Sequence, residues 1–187
     1  MPTHKCFYRI PEDERRKWQD PEVILTEIGV APGSVFMDIG CGDGFFTLPA
    51  ARIVGAMGTV YALDIDAVDI GKLKEKADAE GLHNLTLKID KAEDTVFCQA
   101  CADFVFFGID LHDFVDPAKV LANACKMLKP TGKVVDLDWK KEEMEFGPPL
   151  AKRFSEERTV RLMETAGFTV ESVKELKPYF YLVIARP

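Results

Sequence analysis

The segment Val35–Thr47, VFMDIGCGDGFFT, restricts what this chain can fold into more than any other stretch. Val35 to Ile39 is rich in β-branched and apolar residues, as a buried strand requires, and it runs straight into the alternation Gly40, Gly42, Gly44. Phe45 onward can begin a helix. Strand, tight loop and helix in that order form a cradle. Glycines let the backbone come close to a ligand, and the first N–H groups of the helix have no partner of their own. A glycine turn that binds nothing reads the same way, so the ligand reading depends on what the next strand supplies. The dinucleotide form of the cradle, G-x-G-x-x-G, needs a third glycine where this chain has Phe45.

The next strand supplies a carboxylate. Gly58 to Asp64, GTVYALD, is an apolar run suited to an interior parallel strand, and it ends on an acid close to the ~20-residue offset at which nucleotide folds meet ribose hydroxyls. A carboxylate can accept from both hydroxyls at once. Asp64 can instead cap the following helix, but Asp66 is the better cap, with Asp69, Leu73 and Ala77 continuing a helical pattern to Gly81. That leaves Asp64 free for a ligand.

Charge and length narrow the function. A chain of 187 residues is long enough for one domain with a real core, and 47% hydrophobic with 29% charged residues is an ordinary globular composition. The formal net charge of -7 argues against a broad phosphate-backbone footprint, so nucleic acid is not the expected partner. Arg15, Arg16 and Lys17 form a small basic run that reads as a solvated helix face. Met1–Ile10 has no apolar h-region, and no apolar run is long enough to span a bilayer, so a cytoplasmic location is expected. The cysteines, Cys6, Cys41, Cys98, Cys101 and Cys125, are odd in number and irregularly spaced, which fits reduced thiols. The single C-x-x-C, Cys98 and Cys101, is weak evidence for zinc or redox work, and no metal is expected.

The remaining elements follow from caps and periodicity. Asp20 and Pro21 start a helix that Gly29 stops, and DERRKWQD before it holds a short helix or lid. A helix follows the glycine loop from Phe45 to Val54. Leu85–Asp90 and Ala102–Phe107 read as strands, the latter covered on both faces. Asp116 and Pro117 open a helix that Pro130 and Gly132 end, Lys133–Asp138 is a fifth strand, and Ser155 caps a last helix ending at Gly167. Phe168–Leu176 and Tyr179–Ala185, separated by Lys177 and Pro178, can pair only as an antiparallel hairpin. Open α/β sheets bind ligands where strands end and the topology reverses, which brings Gly108, Ile109, Asp110, Leu111, His112 and Asp113 to a crevice. His112 can act as a general base there, because its unperturbed pKa of ~6.5 suits proton transfer near neutrality. Packing beside the helix start is the alternative.

From Asp38 to Gly44 the chain reads D-x-G-x-G-x-G, which resembles motif I of the class I S-adenosyl-L-methionine-dependent methyltransferases, in particular the small-molecule, quinone-biosynthesis-like group. The likeness extends over most of the chain, including LKPTGKVV, which resembles the family's LKPGGxxx signature. It implies an α/β Rossmann-like three-layer sandwich with a seven-stranded, mostly parallel sheet ending in an antiparallel hairpin, residues 1–187 being one domain with a helical cap over 1–30. It implies S-adenosyl-L-methionine as cofactor. Asp38, Gly40, Cys41, Gly42 and Gly44 would wrap its methionine part, Asp64 would grip the ribose, Ile65 would pack on the adenine, and Gly108, where cofactor and substrate meet, would be a further cofactor contact. The family commonly places an acid directly before an alanine to receive the adenine amino group. This chain has Lys91 before Ala92, so either Asp90 acts from a shifted loop or the backbone from Lys91 to Glu93 holds the base. The likeness also makes Lys17 and Trp18 possible cofactor contacts. Trp139 and Lys140 are candidates to line an acceptor pocket. Asp110, His112 and Asp113 are the candidate catalytic residues.

Three functions compete. A small-molecule methyltransferase working by in-line transfer is the reading preferred. A non-catalytic module that keeps the cofactor pocket and engages a partner protein is the second, supported if the Asp110–Asp113 side is blocked. A nicotinamide oxidoreductase is disfavoured by Phe45 and by the terminal hairpin. The acceptor and the oligomeric state are not written in the sequence.

Overall fold

The computed structural model describes residues 11–145 and 147–187. Met1–Ile10, with Cys6 and the start of the N-terminal cap, lies outside them. The helices are α1 (Glu12–Arg16), α2 (Pro21–Ile28), α3 (Thr47–Val54), α4 (Ala67–Ala79), α5 (Pro117–Met127) and α6 (Glu156–Thr165). The strands are β1 (Val35–Ile39), β2 (Thr59–Asp64), β3 (Leu85–Ile89), β4 (Ala102–Gly108), β5 (Leu128–Trp139), β6 (Thr169–Leu176) and β7 (Phe180–Arg186).

The caps read from sequence form as local chemistry dictates. Asp20, Asp66, Asp116 and Ser155 each accept a backbone N–H of the first turn they precede, and Pro21 and Pro117 sit where their missing N–H costs nothing. Gly29 stops α2 in the left-handed region at φ 103°. The helix after the glycine loop begins at Thr47, not at Phe45. Residues 42–46 instead make turns, because Phe45 and Phe46 are drawn into the core as an edge-to-face pair.

The strands form one sheet in the order β3-β2-β1-β4-β5-β7-β6. β1 to β5 pair in parallel, and β7 pairs antiparallel with both β5 and β6. This is the expected seven-stranded arrangement with its hairpin. β5 begins earlier than predicted. Leu128 already pairs with Ala102, and the register is recovered at Lys133 opposite Phe104 after an irregularity that accommodates KPTG. Both faces of the sheet are covered, so the strands alternate between two apolar clusters. Phe104 and Phe106 join Phe36, Leu25 and Trp139 on the α2–α3 side, while Val105 and Phe107 join Leu121, Met163 and Tyr181 on the α5–α6 side. Each fully buried aromatic or aliphatic chain contributes roughly 1.5–3 kcal/mol.

One expectation is corrected. Cys98 and Cys101 are joined as a disulfide, whereas the sequence pointed to reduced thiols throughout; the turn around Ala100 sets their Cα atoms 6.1 Å apart, inside the bridging range. Among the described residues, Cys41 and Cys125 take part in no disulfide.

The topology positions the site. From β1 the chain moves outward through β2 and β3, then crosses back to place β4 on the other flank of β1. A crevice opens where the two directions part, at the carboxyl ends of β1, β2, β4 and β5. Because β7 runs antiparallel, its first residues reach the same rim, Phe180 lying opposite Trp139.

Candidate functional site: two joined cavities at the sheet rim

The three motif glycines do different work. Gly40, at φ 81°, lies under Asp110, whose Cγ would be 2.6 Å from any Cβ at this position. Gly44, at φ 97°, packs on Leu73, whose Cδ1 would be only 2.5 Å from any Cβ at this position, and it lines neither cavity, so its place is in packing the loop onto α4. Gly42, at φ 53°, has nothing within 4 Å of where a Cβ would be. Its missing side chain leaves room beside the loop.

Asp38 and Asp64 border that room from adjacent strand ends. Asp38 is buried, and one oxygen accepts the Thr47 hydroxyl at 2.6 Å. Burial pushes its pKa up to about 7; the Thr47 hydrogen bond and the Arg15 charge oppose this, and Asp64 adds to it. Asp64 is less free than the sequence suggested. One oxygen accepts from Gly42 N at 2.8 Å and the other from Asp66 N at 2.9 Å, so its carboxylate ties the β2 tip to the glycine loop. Two such bonds leave acceptor capacity on a carboxylate, which has about four lone-pair sites.

One cavity, of about 410 Å³, runs from Gly40 and Asp64 past Ile65 to Asp90, Lys91 and Ala92. Ile65 is 60% exposed, an apolar side chain at the mouth with nothing of its own to cover it. Asp90 is already engaged. It accepts from Lys91 N and the Thr95 hydroxyl and pairs with Lys88, and the Lys88 hydrogen bond leads the causes that hold its pKa below the ordinary value. At this edge Ala92 opens a 3₁₀ turn that ends at Asp94.

A second cavity, of about 460 Å³, shares Gly40, Asp64, Asp110 and Asp113 with the first and is further lined by Asp38, Cys41, Gly42, Gly108, His112 and Trp139. The chain enters it through Ile109, whose φ of 65° is an outlier for a β-branched residue. That turn sends Asp110 over Gly40 and lets His112 fold back towards β5. His112 is buried with Nδ1 2.8 Å from both oxygens of Asp138, at the β5 tip. Trp139 stacks on Phe180 at 4.4 Å, and Gly147 and Pro148 close over them, held by Arg153 through the carbonyls of Pro148 and Glu142.

The N-terminal segment contributes differently from what the sequence indicated. Lys17 is exposed and pairs with Glu14, and Trp18 packs edge-on against Tyr179; neither lines a cavity. Lys140 likewise lines neither, being buried in an ion pair with Glu175. Arg15 is the residue that enters. Its guanidinium lies 3.8 Å from the Phe45 ring centroid, and burial lowers its pKa to about 10 against the pull of Asp110, Asp38 and Asp43. Arg15 also donates at 2.7 Å to Gln19, which is buried in the same cavity with its Nε2 unpartnered. The only signal in the sequence was the basic run itself, read as solvated; Arg16 and Lys17 fit that reading and Arg15 does not. Asp138 was read only as the last residue of a strand.

Comparisons with known proteins agree with this geometry. Residues 31–180 match a family model described as a methyltransferase domain, and the chain belongs to that family, as a class I S-adenosyl-L-methionine-dependent methyltransferase. Its similarity to a solved structure, an S-adenosylmethionine-dependent methyltransferase from Aquifex aeolicus, has a TM-score of 0.87 at 29% identity, covering 95% of this chain and 98% of that one. A demethylmenaquinone methyltransferase of Bacillus cytotoxicus is 34% identical over 109 residues, 58% of this chain and 46% of the relative. A nocamycin O-methyltransferase of Saccharothrix syringae is 29% identical over 111 residues, 59% of this chain and 40% of the relative. The chain thus spans about half the length of such relatives. The residues present fit the cofactor: an open place at Gly42, two strand-tip carboxylates and an uncovered apolar residue at Ile65. Among the described residues no helix is long and apolar enough to cross a membrane.

Proposed function

We propose that this chain transfers a methyl group in line to a small-molecule acceptor held in the second cavity. The observation that carries the reading is the joining of the two cavities over Gly40, between Asp64 and Asp110, so that one occupant can meet another there. The bound cofactor supplies an electrophilic sulfonium methyl group. What the chain supplies is alignment and dryness. In this reading Asp38, Gly40, Cys41 and Gly42 hold the amino-acid part, Asp64 the ribose, and Ile65, Asp90, Lys91 and Ala92 border the base. Gly108 borders the cofactor as well, and Asp110, His112 and Asp113 face the acceptor.

Trp139, Phe180 and Phe46 offer the acceptor aromatic walls, and the net charge of -7 favours a small molecule over nucleic acid as the acceptor. With a demethylmenaquinone methyltransferase among its relatives, a reduced naphthoquinone ring is the acceptor class best supported. The residues described through 30 act as a cap that brings Arg15 to the cavity, within one domain located in the cytoplasm. The test is calorimetric titration with S-adenosylhomocysteine and NAD, followed by transfer of labelled methyl to 1,4-dihydroxynaphthalene. Micromolar binding of the first, none of the second, and labelled product are expected. Binding of NAD, or cofactor binding with no methylated product, would contradict the reading.

A further inference from the structure

We infer that Asp138 is a positioning residue that holds His112 as a general base, with Nε2 as the proton acceptor for a hydroxyl-bearing acceptor in the second cavity. The inference rests on the methyl-transfer reading above. It begins with a fixed ring. Nδ1 of His112 lies 2.8 Å from each oxygen of Asp138, and the ring packs edge-on against Phe154, centroids 6.4 Å apart. A carboxylate only accepts, so Nδ1 carries the hydrogen in the neutral ring and Nε2 keeps a lone pair. Asp138 is itself fixed. It is fully buried on β5, and one of its oxygens also accepts Trp139 N at 2.7 Å.

The ring borders the cavity shared with Asp38, Gly40 and Gly108, so the free nitrogen belongs to the acceptor side. Three charged groups act on it: Asp138 from β5, Asp113 from its own turn, 3.8 Å from Nε2, and Lys152 from the segment before α6. Burial lowers the His112 pKa, but the Asp138 hydrogen bond and charge, with Asp113, outweigh it and leave the pKa above the ordinary value. A second buried carboxyl stands two residues back on the same strand. Neither oxygen of Asp136 makes a hydrogen bond, the nearby Thr159 hydroxyl being bonded to Tyr181 at 2.8 Å. Burial and the neighbouring Asp138 push the Asp136 pKa well up, while the nearby Thr159 hydroxyl opposes the shift. In the step itself the acceptor O–H bond breaks and a bond from Nε2 to that proton forms; the electron pair left on the acceptor would bond to the methyl carbon as the carbon–sulfur bond of the sulfonium donor breaks and its electrons go to sulfur.

The test is ¹⁵N NMR of histidine-labelled protein saturated with S-adenosylhomocysteine, together with pH–rate profiles using 1,4-dihydroxynaphthalene. In spectra recorded above the His112 titration midpoint, where the ring is neutral, the wild-type protein should show His112 protonated at Nδ1 and bare at Nε2. Asp138→Asn should lower the His112 titration midpoint and reduce kcat about 100-fold while KM moves less than about threefold, within the range of general-base assistance. Its affinity for S-adenosylhomocysteine should stay unchanged. Asp136→Asn, which leaves the His112–Asp138 contact in place, should leave both the midpoint and kcat as they are. Protonation at Nε2 in the wild type, or an Asp138→Asn protein with unaltered titration and turnover, would overturn the inference. The wild-type tautomer needs no variant, so it decides the matter even if Asp138→Asn does not fold. Cofactor binding without methylation of the probe would count against the acceptor reading, and the tautomer would then judge the dyad alone.

Discussion

Asp38 links cofactor binding to protons. Its pKa of about 7 against ~3.9 in an unfolded chain means that the folded protein holds an extra proton between those values, so folding stability falls as pH rises through that window. If the ionised carboxylate meets the cofactor's ammonium group, affinity for S-adenosylmethionine should fall up to about tenfold per pH unit below 7 and flatten above it. Asp38→Asn should abolish that slope in calorimetry; a slope that persists would refute the assignment. Asp136 gives a stability test of the same sign. Asp136→Asn should raise the melting temperature at pH 7 to 8, with a gain that shrinks as pH falls towards 4. A variant less stable at pH 8 than at pH 4, relative to the parent, would contradict this. At this scale the sequence was only partly legible. The positions of Asp38 and Asp64 followed from strand ends, but that Asp64 spans to Gly42 N, that Arg15 turns inward, and that His112 meets Asp138 depend on contacts between residues distant in sequence.

At the scale of elements, the glycine loop separates folding from binding. Gly40→Ala adds a Cβ against Asp110 in a left-handed conformation and should cost more than about 2 kcal/mol of stability. Gly42→Ala meets no protein atom and should cost only about 1 kcal/mol, the strain of φ 53°. Yet Gly42→Ala should weaken S-adenosylhomocysteine binding at least tenfold, because the new methyl group occupies the ligand's space. Equal stabilities with equal affinities would show that the loop is no cradle. Elements whose signals are local are legible in the sequence: four caps, the hairpin and every strand of the sheet but β5. The failures were those set by tertiary context, namely the late start of α3 under the Phe45–Phe46 pair and the early start of β5 opposite Ala102.

At the scale of the molecule, the strand order does what no single motif can. It places the glycine loop of β1, the carboxylate of β2, the turn after β4 and the Asp138–Trp139 end of β5 on one rim, with the first residues of β7 arriving from the antiparallel hairpin. Apolar runs covered on both faces made parallel strands and a switch point readable, while the seven-stranded arrangement was what the family resemblance implied. It could not show that the crevice divides into two joined cavities, since that depends on how Asp110 lies across Gly40. The central claim is that two adjacent strand tips together hold one adenosyl amino acid. Calorimetric titration of Asp64→Ala with S-adenosylhomocysteine tests it most directly: the account predicts at least a tenfold loss of affinity in a protein that still unfolds cooperatively, and an unchanged affinity would contradict it.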